Sequence, residues 1–394
     1  MDRIVYLDNN ATTRTAPEVR DVMLPFLGDL YGNPSSMHAF GGQIARYVAR
    51  AREEVAHFIN CSPEEIIFTS CATESDNTAL RGTAEFLGKE TKIITSAVEH
   101  PAILQPARRL KANGWNEVEL PVDDVGQLDL DRLRAELKGT RKALVSIMWA
   151  NNETGTVFPI EEIAAICHEH GAVFHTDAVQ VAGKIPVDVQ KVPVDMLSMS
   201  GHKFHAPKGV GILYVRKGVH FKPFMLGGHQ ENGRRAGTEN VPYIIGLAKA
   251  CELARLGMAD EAAKLTVLRD RLEAGILATC PNVRVNGDRQ HRLPNTLNVS
   301  FEYIEGEAIA YRLSDLGICI STGSACASGS LDPSHVIRAM GVPFIAVHGS
   351  VRFSLSRYNT AEDIDYVLEK LPIVIKGLRE LSPFGPNSDP TTFK

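Results

Sequence analysis

The chain has 394 residues, with 42 lysines and arginines against 47 aspartates and glutamates, a net charge of −5. That length supports two domains with substantial cores, and the composition carries no collagen-like or disordered bias. The acidic balance offers no basic field for direct nucleic-acid binding, and no apolar run approaches the roughly 20 residues that span a bilayer.

Residues 1–8 lack the basic and apolar regions of a signal peptide. The seven cysteines, at 61, 71, 167, 251, 280, 319 and 326, are odd in number, scattered and without a Cys-x-x-Cys pair. Reduced thiols and a cytoplasmic location are expected.

Residues 43–59 form the first clear amphipathic helix, with Ile44, Tyr47, Val48, Ala51 and Val55 at helical spacing. Short β-rich runs follow at 65–69, 92–96, 143–149, 173–176, 196–198 and 211–215, with helical segments at 73–87, 102–113 and 160–170. This alternation predicts crossover connections and a mostly parallel, doubly wound α/β sheet. Such a sheet binds ligands beyond the carboxyl ends of its strands. His100, Asn151, Asn152, Asp177, Gln180 and the run Ser200–Lys203 all fall at or just past those ends. After a helical stretch near 240–256 the pattern becomes α+β: helix at 265–277, strand at 295–301, helix at 306–316, strand at 351–354 and a closing helix at 361–381. A second, smaller domain is expected from about residue 259, and the tail from Ser382 reads as irregular.

Thr69-Ser70-Cys71-Ala72-Thr73-Glu74-Ser75 ends a strand and opens a helix. Free N–H groups, the helix dipole and the Thr73 hydroxyl suit an anion there, although the same residues would also serve as a plain N-cap. His100, just before the helix-starting Pro101, could stack on a flat ring and move protons. Asn152 and Gln180 could donate to a ring oxygen, with turn chemistry as the plainer role for both. Asp177 and Lys203 end neighbouring strands: a carboxylate able to hold a pyridinium nitrogen protonated, and an amine able to form a Schiff base with an aldehyde. Ser200 and His202 can donate to a phosphate beside that amine.

Ser321–Ser330 surrounds Cys326 with small residues, which suits an exposed, reactive thiol better than a packed one. Arg352, in an apolar strand, either forms a structural ion pair or forks onto a ligand carboxylate. The glycine-rich basic run 227–238 could be a lid, an interface segment or a phosphate contact. There is no Gly-x-Gly-x-x-Gly after a strand and no P-loop. Cys167-His168-Glu169-His170 lies on a solvated helix face without a ligand framework, so no intrinsic metal is expected.

Ala72-Thr73-Glu74-Ser75-Asp76-Asn77, Ser200-Gly201-His202-Lys203 and Gly323-Ser324-Ala325-Cys326, in that order, resemble the cysteine desulfurases. These are pyridoxal 5′-phosphate (PLP) enzymes of fold type I in the class-V aminotransferase family. The resemblance implies a large PLP-binding domain over 15–258 and a small domain formed by 1–14 with 259–394. It makes Lys203 the Schiff-base lysine and later base and acid, Asp177 the partner of the pyridinium nitrogen, and His100 the stacking residue. Asn152 and Gln180 would contact the ring oxygen. Ala72, Thr73, Ser200 and His202 would bind the phosphate, and Thr238 would reach the phosphate of a partner subunit. Asn33 and Arg352 are implied for the carboxylate of L-cysteine. Cys326 would leave as a persulfide after alanine is released, with a further possibility as a transient iron–sulfur ligand.

The segments 225–242 and 330–340 resemble the nitrogen-fixation members of the long-loop class (NifS and IscS type). The implied protein is a homodimer passing sulfur to an iron–sulfur scaffold for nitrogenase maturation. A housekeeping desulfurase, a selenocysteine lyase or an aminotransferase on the same fold is the competing enzyme. An inactive scaffold is disfavoured by the intact Lys203, Asp177 and Cys326. Cys71, where many relatives carry glycine, is a departure without a functional account.

Overall fold

The computed structural model describes residues 3–322 and 332–385. Its strands are β1 (Val5–Tyr6), β2 (Ile66–Thr69), β3 (Lys92–Ser96), β4 (Asn116–Leu120), β5 (Ala143–Ser146), β6 (Val173–Asp177), β7 (Met196–Ser200), β8 (Gly211–Val215), β9 (Val283–Asn286), β10 (Thr296–Phe301), β11 (Ile318–Cys319) and β12 (Ser350–Ser354). Seven of them form the main sheet in the order β2-β8-β7-β6-β5-β3-β4. Strands β3 to β7 run parallel, while β8 is antiparallel to both neighbours. Residues of β2, β5, β7 and β8 are buried throughout, as expected when helices cover both faces of a sheet.

Strand β4 is the element that periodicity missed. Asn116-Glu117-Val118-Glu119-Leu120 alternates charge with apolar residues and lies at the sheet edge, where charged residues are tolerated. Helix Pro101–Ala112 covers its carboxylates through Arg108–Glu119 and Lys111–Glu117 ion pairs. The helical stretch expected at 73–87 contains one wide turn, Thr78–Gly82. A Cβ at Gly82 would sit 2.4 Å from the Lys222 carbonyl oxygen, so only glycine lets that chain pass.

A second hydrophobic core gathers Val5, Leu7, Leu297, Phe301, Phe353 and Val367 around a three-stranded antiparallel sheet, β12-β10-β9, and the parallel pair β1-β11. The helical runs expected at 240–256 and 265–277 are one helix, Val241–Thr279. Its first half buries Ile244, Leu247 and Cys251 in the large core, and its second half buries Leu265, Leu272 and Ile276 in the small one. Polar residues between these faces interrupted the apolar period, but backbone hydrogen bonding needs no apolar side chain to continue.

Strand β1 ties the start of the chain to the second core and delivers Asp8, Asn9 and Asn10 to the carboxyl ends of the main sheet. The backbone N–H of Asn10 donates to Ser354 Oγ at 2.9 Å. Among the described residues no helix is long and apolar enough to cross a membrane.

Candidate active site

A cavity of about 290 Å³ opens at the carboxyl ends of β5, β6 and β7. Asp177 is the last residue of β6 and Ser200 the last of β7. Lys203 follows in the tight turn Gly201–Lys203. A Cβ at Gly201 would meet Ala206 at 2.9 Å and Leu247 at 3.0 Å, so the turn packs directly onto the long helix. The half-buried Lys203 Nζ donates to the carbonyls of Asn10 at 2.6 Å and Ala11 at 3.0 Å.

Asp177 Oδ1 accepts the Val179 N–H at 2.9 Å. Burial pushes the Asp177 carboxyl up to about 6, while the Val179 hydrogen bond and the Lys203 charge pull it back. Two further carboxyls lie buried near it. Asp76 is held well above the usual range by burial and then by Asp177, and Glu99 is pushed up to about 8 chiefly by burial.

On the opposite edge, Ala72 and Thr73 begin helix Ala72–Asn77, and both line the cavity. The N-cap position belongs to Cys71, whose side chain makes no capping hydrogen bond. Ser70 instead turns to Glu74: its N–H and Oγ donate to Oε2 at 2.8 and 2.5 Å. Arg235 forks onto the same carboxylate at 2.8 and 3.1 Å. Burial opposes the charge on Glu74, yet the Arg235 and Ser70 hydrogen bonds hold its carboxyl below the usual range. The helix start can lie close to β8 because Gly211 faces it. A Cβ there would meet Met199 O at 2.7 Å and the Cys71 carbonyl carbon at 2.9 Å.

His202 Nδ1 lies 3.1 Å from Thr12 Oγ1, and its ring is pushed down to about 4 by burial and then by the Lys203 charge. His100 Nδ1 accepts the Ala102 N–H at 3.1 Å, capping the next helix and leaving its proton on Nε2. Burial, then the charges of Lys203 and His335, push His100 down to about 4. Among the described residues Ser200 Oγ is buried without a hydrogen-bond partner, and Asp76 Oδ1 lies 3.7 Å from His175 Nε2.

The far wall is built from distant segments. Arg352, 3% exposed, pairs with Asp8 through Nη2 at 2.8 Å and donates from Nη1 to the Asn152 carbonyl at 2.9 Å. Asn10 joins this wall to the second core. Its amide donates to the Asn152 carbonyl at 3.1 Å and Thr296 Oγ1 at 2.9 Å, and its side-chain oxygen accepts from Asn295 at 3.0 Å.

Eleven residues singled out in the sequence therefore meet in one cavity: Cys71, Ala72, Thr73, His100, Asn152, Asp177, Gln180, Ser200, His202, Lys203 and Arg352. Asn10, Ala11 and Asp76 line it unanticipated, although the polar run Asp8–Thr13 directly after an apolar strand was a usable signal. Thr238 does not line it. It is exposed and borders a separate cavity with Ser70 and Arg235. Asn33 is also exposed and away from the cavity, its side chain accepting the Ser35 N–H at 2.9 Å. Cys326 lies outside the described residues. Of the flanks of its segment, Ser321 bridges to Arg352, and His335 Nε2 lies 2.9 Å from the Glu99 carbonyl oxygen.

The aminotransferase class-V family matches residues 5–367. A cysteine desulfurase of Trichormus azollae is 56% identical over 97% of this chain and 95% of its own. The cysteine desulfurase NifS of Azotobacter vinelandii is 52% identical over 98% of this chain and 97% of its own. A solved NifS-like protein superposes with a TM-score of 0.90 at 41% identity, covering 95% of this chain and all of the other. The carboxylate and lysine at adjacent strand ends thus stand in a fold shared along nearly the whole chain. The chain belongs to the aminotransferase class-V family and, within it, to the cysteine desulfurases.

Proposed function

We propose that this protein converts L-cysteine to L-alanine and carries the released sulfur as a persulfide on Cys326 for iron–sulfur cluster assembly. The carrying observation is that Lys203, Asp177, Ser200, His202, Thr73 and His100 converge on one cavity. Enzymes of this family depend on PLP, and the residues present fit that group. The cavity holds a buried hydroxyl, Ser200 Oγ, that lacks a partner among the described residues, beside the N-terminus of a helix suited to a phosphate. It also holds a buried carboxylate suited to a pyridinium nitrogen and an amine within the same walls.

Bound there, PLP supplies an electron sink for the carbanion character that develops on the substrate. Thr73, Ser200, His202 and the N–H groups at the start of helix Ala72–Asn77 would hold its phosphate. Asp177, which burial leaves short of hydration, would keep the proton on the ring nitrogen. His100 would cover the ring, and Gln180 and Asn152 would face the ring oxygen. Lys203 Nζ takes the proton from the substrate α-carbon and later delivers one to the product side. Arg352 turns its guanidinium from Asp8 and the Asn152 carbonyl towards the substrate carboxylate. The Cys326 thiolate forms a new S–S bond as the C–S bond of the substrate breaks, so cysteine plus thiol becomes alanine plus persulfide.

Several features support a homodimer. Leu24, Leu27, Tyr31, Met37 and Leu226 are large apolar residues left exposed. Thr238 is exposed, which suits the contact with a partner's phosphate that the family resemblance implies. The 52% identity to a NifS protein and the segments 225–242 and 330–340 support delivery to a scaffold serving nitrogenase in the cytoplasm.

The test is to incubate the PLP-loaded protein with L-cysteine and assay alanine and protein-bound persulfide. Wild type should yield both, and Cys326→Ser should yield no persulfide. Persulfide at the wild-type level in Cys326→Ser would place the transferring thiol elsewhere. Deletion should remove nitrogenase activity while growth on fixed nitrogen stays normal. General iron–sulfur enzyme defects would assign the housekeeping role instead.

A further inference from the structure

Lys184 has no part in the chemistry above, yet it is only 8% exposed behind the cavity wall. Its turn cannot retreat. Gly183 has φ +74°, and a Cβ there would meet Phe204 Cβ at 2.6 Å. Lys184 Nζ donates to Gln180 Oε1 at 2.9 Å. Gln180 Nε2 in turn donates to the Asn10 carbonyl at 3.1 Å, the same oxygen that Lys203 Nζ approaches at 2.6 Å.

A glutamine amide has a donor end and an acceptor end of nearly equal shape, so packing alone does not select its orientation. Protonated, as it is below about pH 7, Lys184 is an ammonium with three donors and no acceptor, so only the oxygen of Gln180 can face it. We infer that Lys184 is a positioning residue that locks the Gln180 amide with its NH₂ towards the cavity, where the cofactor ring oxygen requires a donor. The inference rests on the reading that Gln180 faces that oxygen.

The charged groups around Lys184 agree with a role that opposes its own solvation. Burial, then the charges of Lys203 and Arg352, push its amine down to about 7, while Glu261 on helix Val241–Thr279 pulls it up. An apolar side chain would occupy the place without that desolvation.

The test is a spectrophotometric pH titration of the holoenzyme, reading the midpoint of the cofactor absorbance change. A donor stabilises the form with the more negative ring oxygen, so losing it raises the midpoint. Gln180→Ala should raise the midpoint by about one pH unit, the size of one hydrogen bond to a charged group. Lys184→Met should give a rise of the same order, and Lys184→Glu at least as much, because a carboxylate draws the NH₂ away. Lys184→Arg, which keeps the donors, should stay near wild type. In the Gln180→Ala background, Lys184→Met should add nothing.

A wild-type midpoint in Lys184→Met, with Gln180→Ala shifted, overturns the lock. So does an undiminished Lys184→Met shift in the Gln180→Ala background, which would make the lysine a through-space charge. An unmoved midpoint in Gln180→Ala defeats the reading of Gln180 itself. If Lys184→Met does not fold, Lys184→Gln replaces it: its amide permits both orientations and should give a partial rise, and a wild-type midpoint overturns the proposal.

Discussion

The two walls of the cavity are made in different ways. The sheet wall takes Asp177, Gln180, Ser200 and Lys203 from the ends of two adjacent parallel strands, within 27 residues of chain. The far wall takes Asn10, Asn152 and Arg352 from three separate segments, and Arg352 reaches an aspartate 344 residues away. Strand topology brings the reacting groups of the first wall together with little loop to close, whereas the second wall exists only once both cores have formed. The sheet wall points its groups at a cofactor. The far wall spends most of its hydrogen bonds on itself, through Asn10 and Arg352, so it sets the relation of the two cores as well as the shape of the site.

That contrast predicts a graded set of losses. Lys203→Ala, on the sheet wall, should lower alanine production from cysteine by about 10³-fold or more, because among the described residues no other lysine lines the cavity. Circular dichroism should remain native, and activity above a tenth of wild type would break the assignment. Asp177→Asn should cost about 10²-fold in kcat, the scale of losing one preorganised charge. A wild-type kcat would show that the carboxylate is only structural.

On the far wall the main effect should be on stability. Asn10→Ala leaves Thr296, Asn295 and the Asn152 carbonyl short of partners and should cost about 2 kcal/mol in urea unfolding. A cost near zero would mean that the wall does not join the cores. Arg352→Lys loses the fork that meets a carboxylate and should raise KM for cysteine about tenfold with a smaller change in kcat. The reverse pattern would assign Arg352 to the chemical step.

The smallest effect concerns Glu99, buried behind the sheet wall with its carboxylate on Ser96 Oγ and the Met148 N–H. Its folded pKa of about 8 lies above the ordinary 4.5, so the folded state binds the extra proton between those values. That contribution is complete below about pH 4.5 and is lost as pH rises to about 8. Glu99→Gln should therefore gain Tm relative to wild type between pH 5 and pH 8. A difference in Tm that does not change with pH rules out a protonated Glu99.

Much of the sheet wall was legible because parallel strands buried on both faces read as apolar runs, and a polar residue at the end of such a run has few structural reasons to be there. That logic located Asp177, Ser200 and Lys203 directly. It failed at β4, whose edge position tolerates alternating charge, and across 257–264, where a helix continues without an apolar face. Asn10 escaped for another reason. Asparagine after a strand is ordinary turn chemistry, and only its contacts with Thr296, Asn295 and Asn152 give it a different role.

By itself the sequence determined the alternation of strands and helices, the strand-end carboxylate and lysine, and the helix start suited to an anion, all of which depend on local spacing and propensity. The tertiary structure alone decided that Arg352 faces Asp8, that Thr238 and Asn33 stand outside the cavity, and that Lys184 reaches Gln180. These depend on how two cores pack across one continuous helix, and contacts between residues hundreds of positions apart leave no periodic trace in the chain.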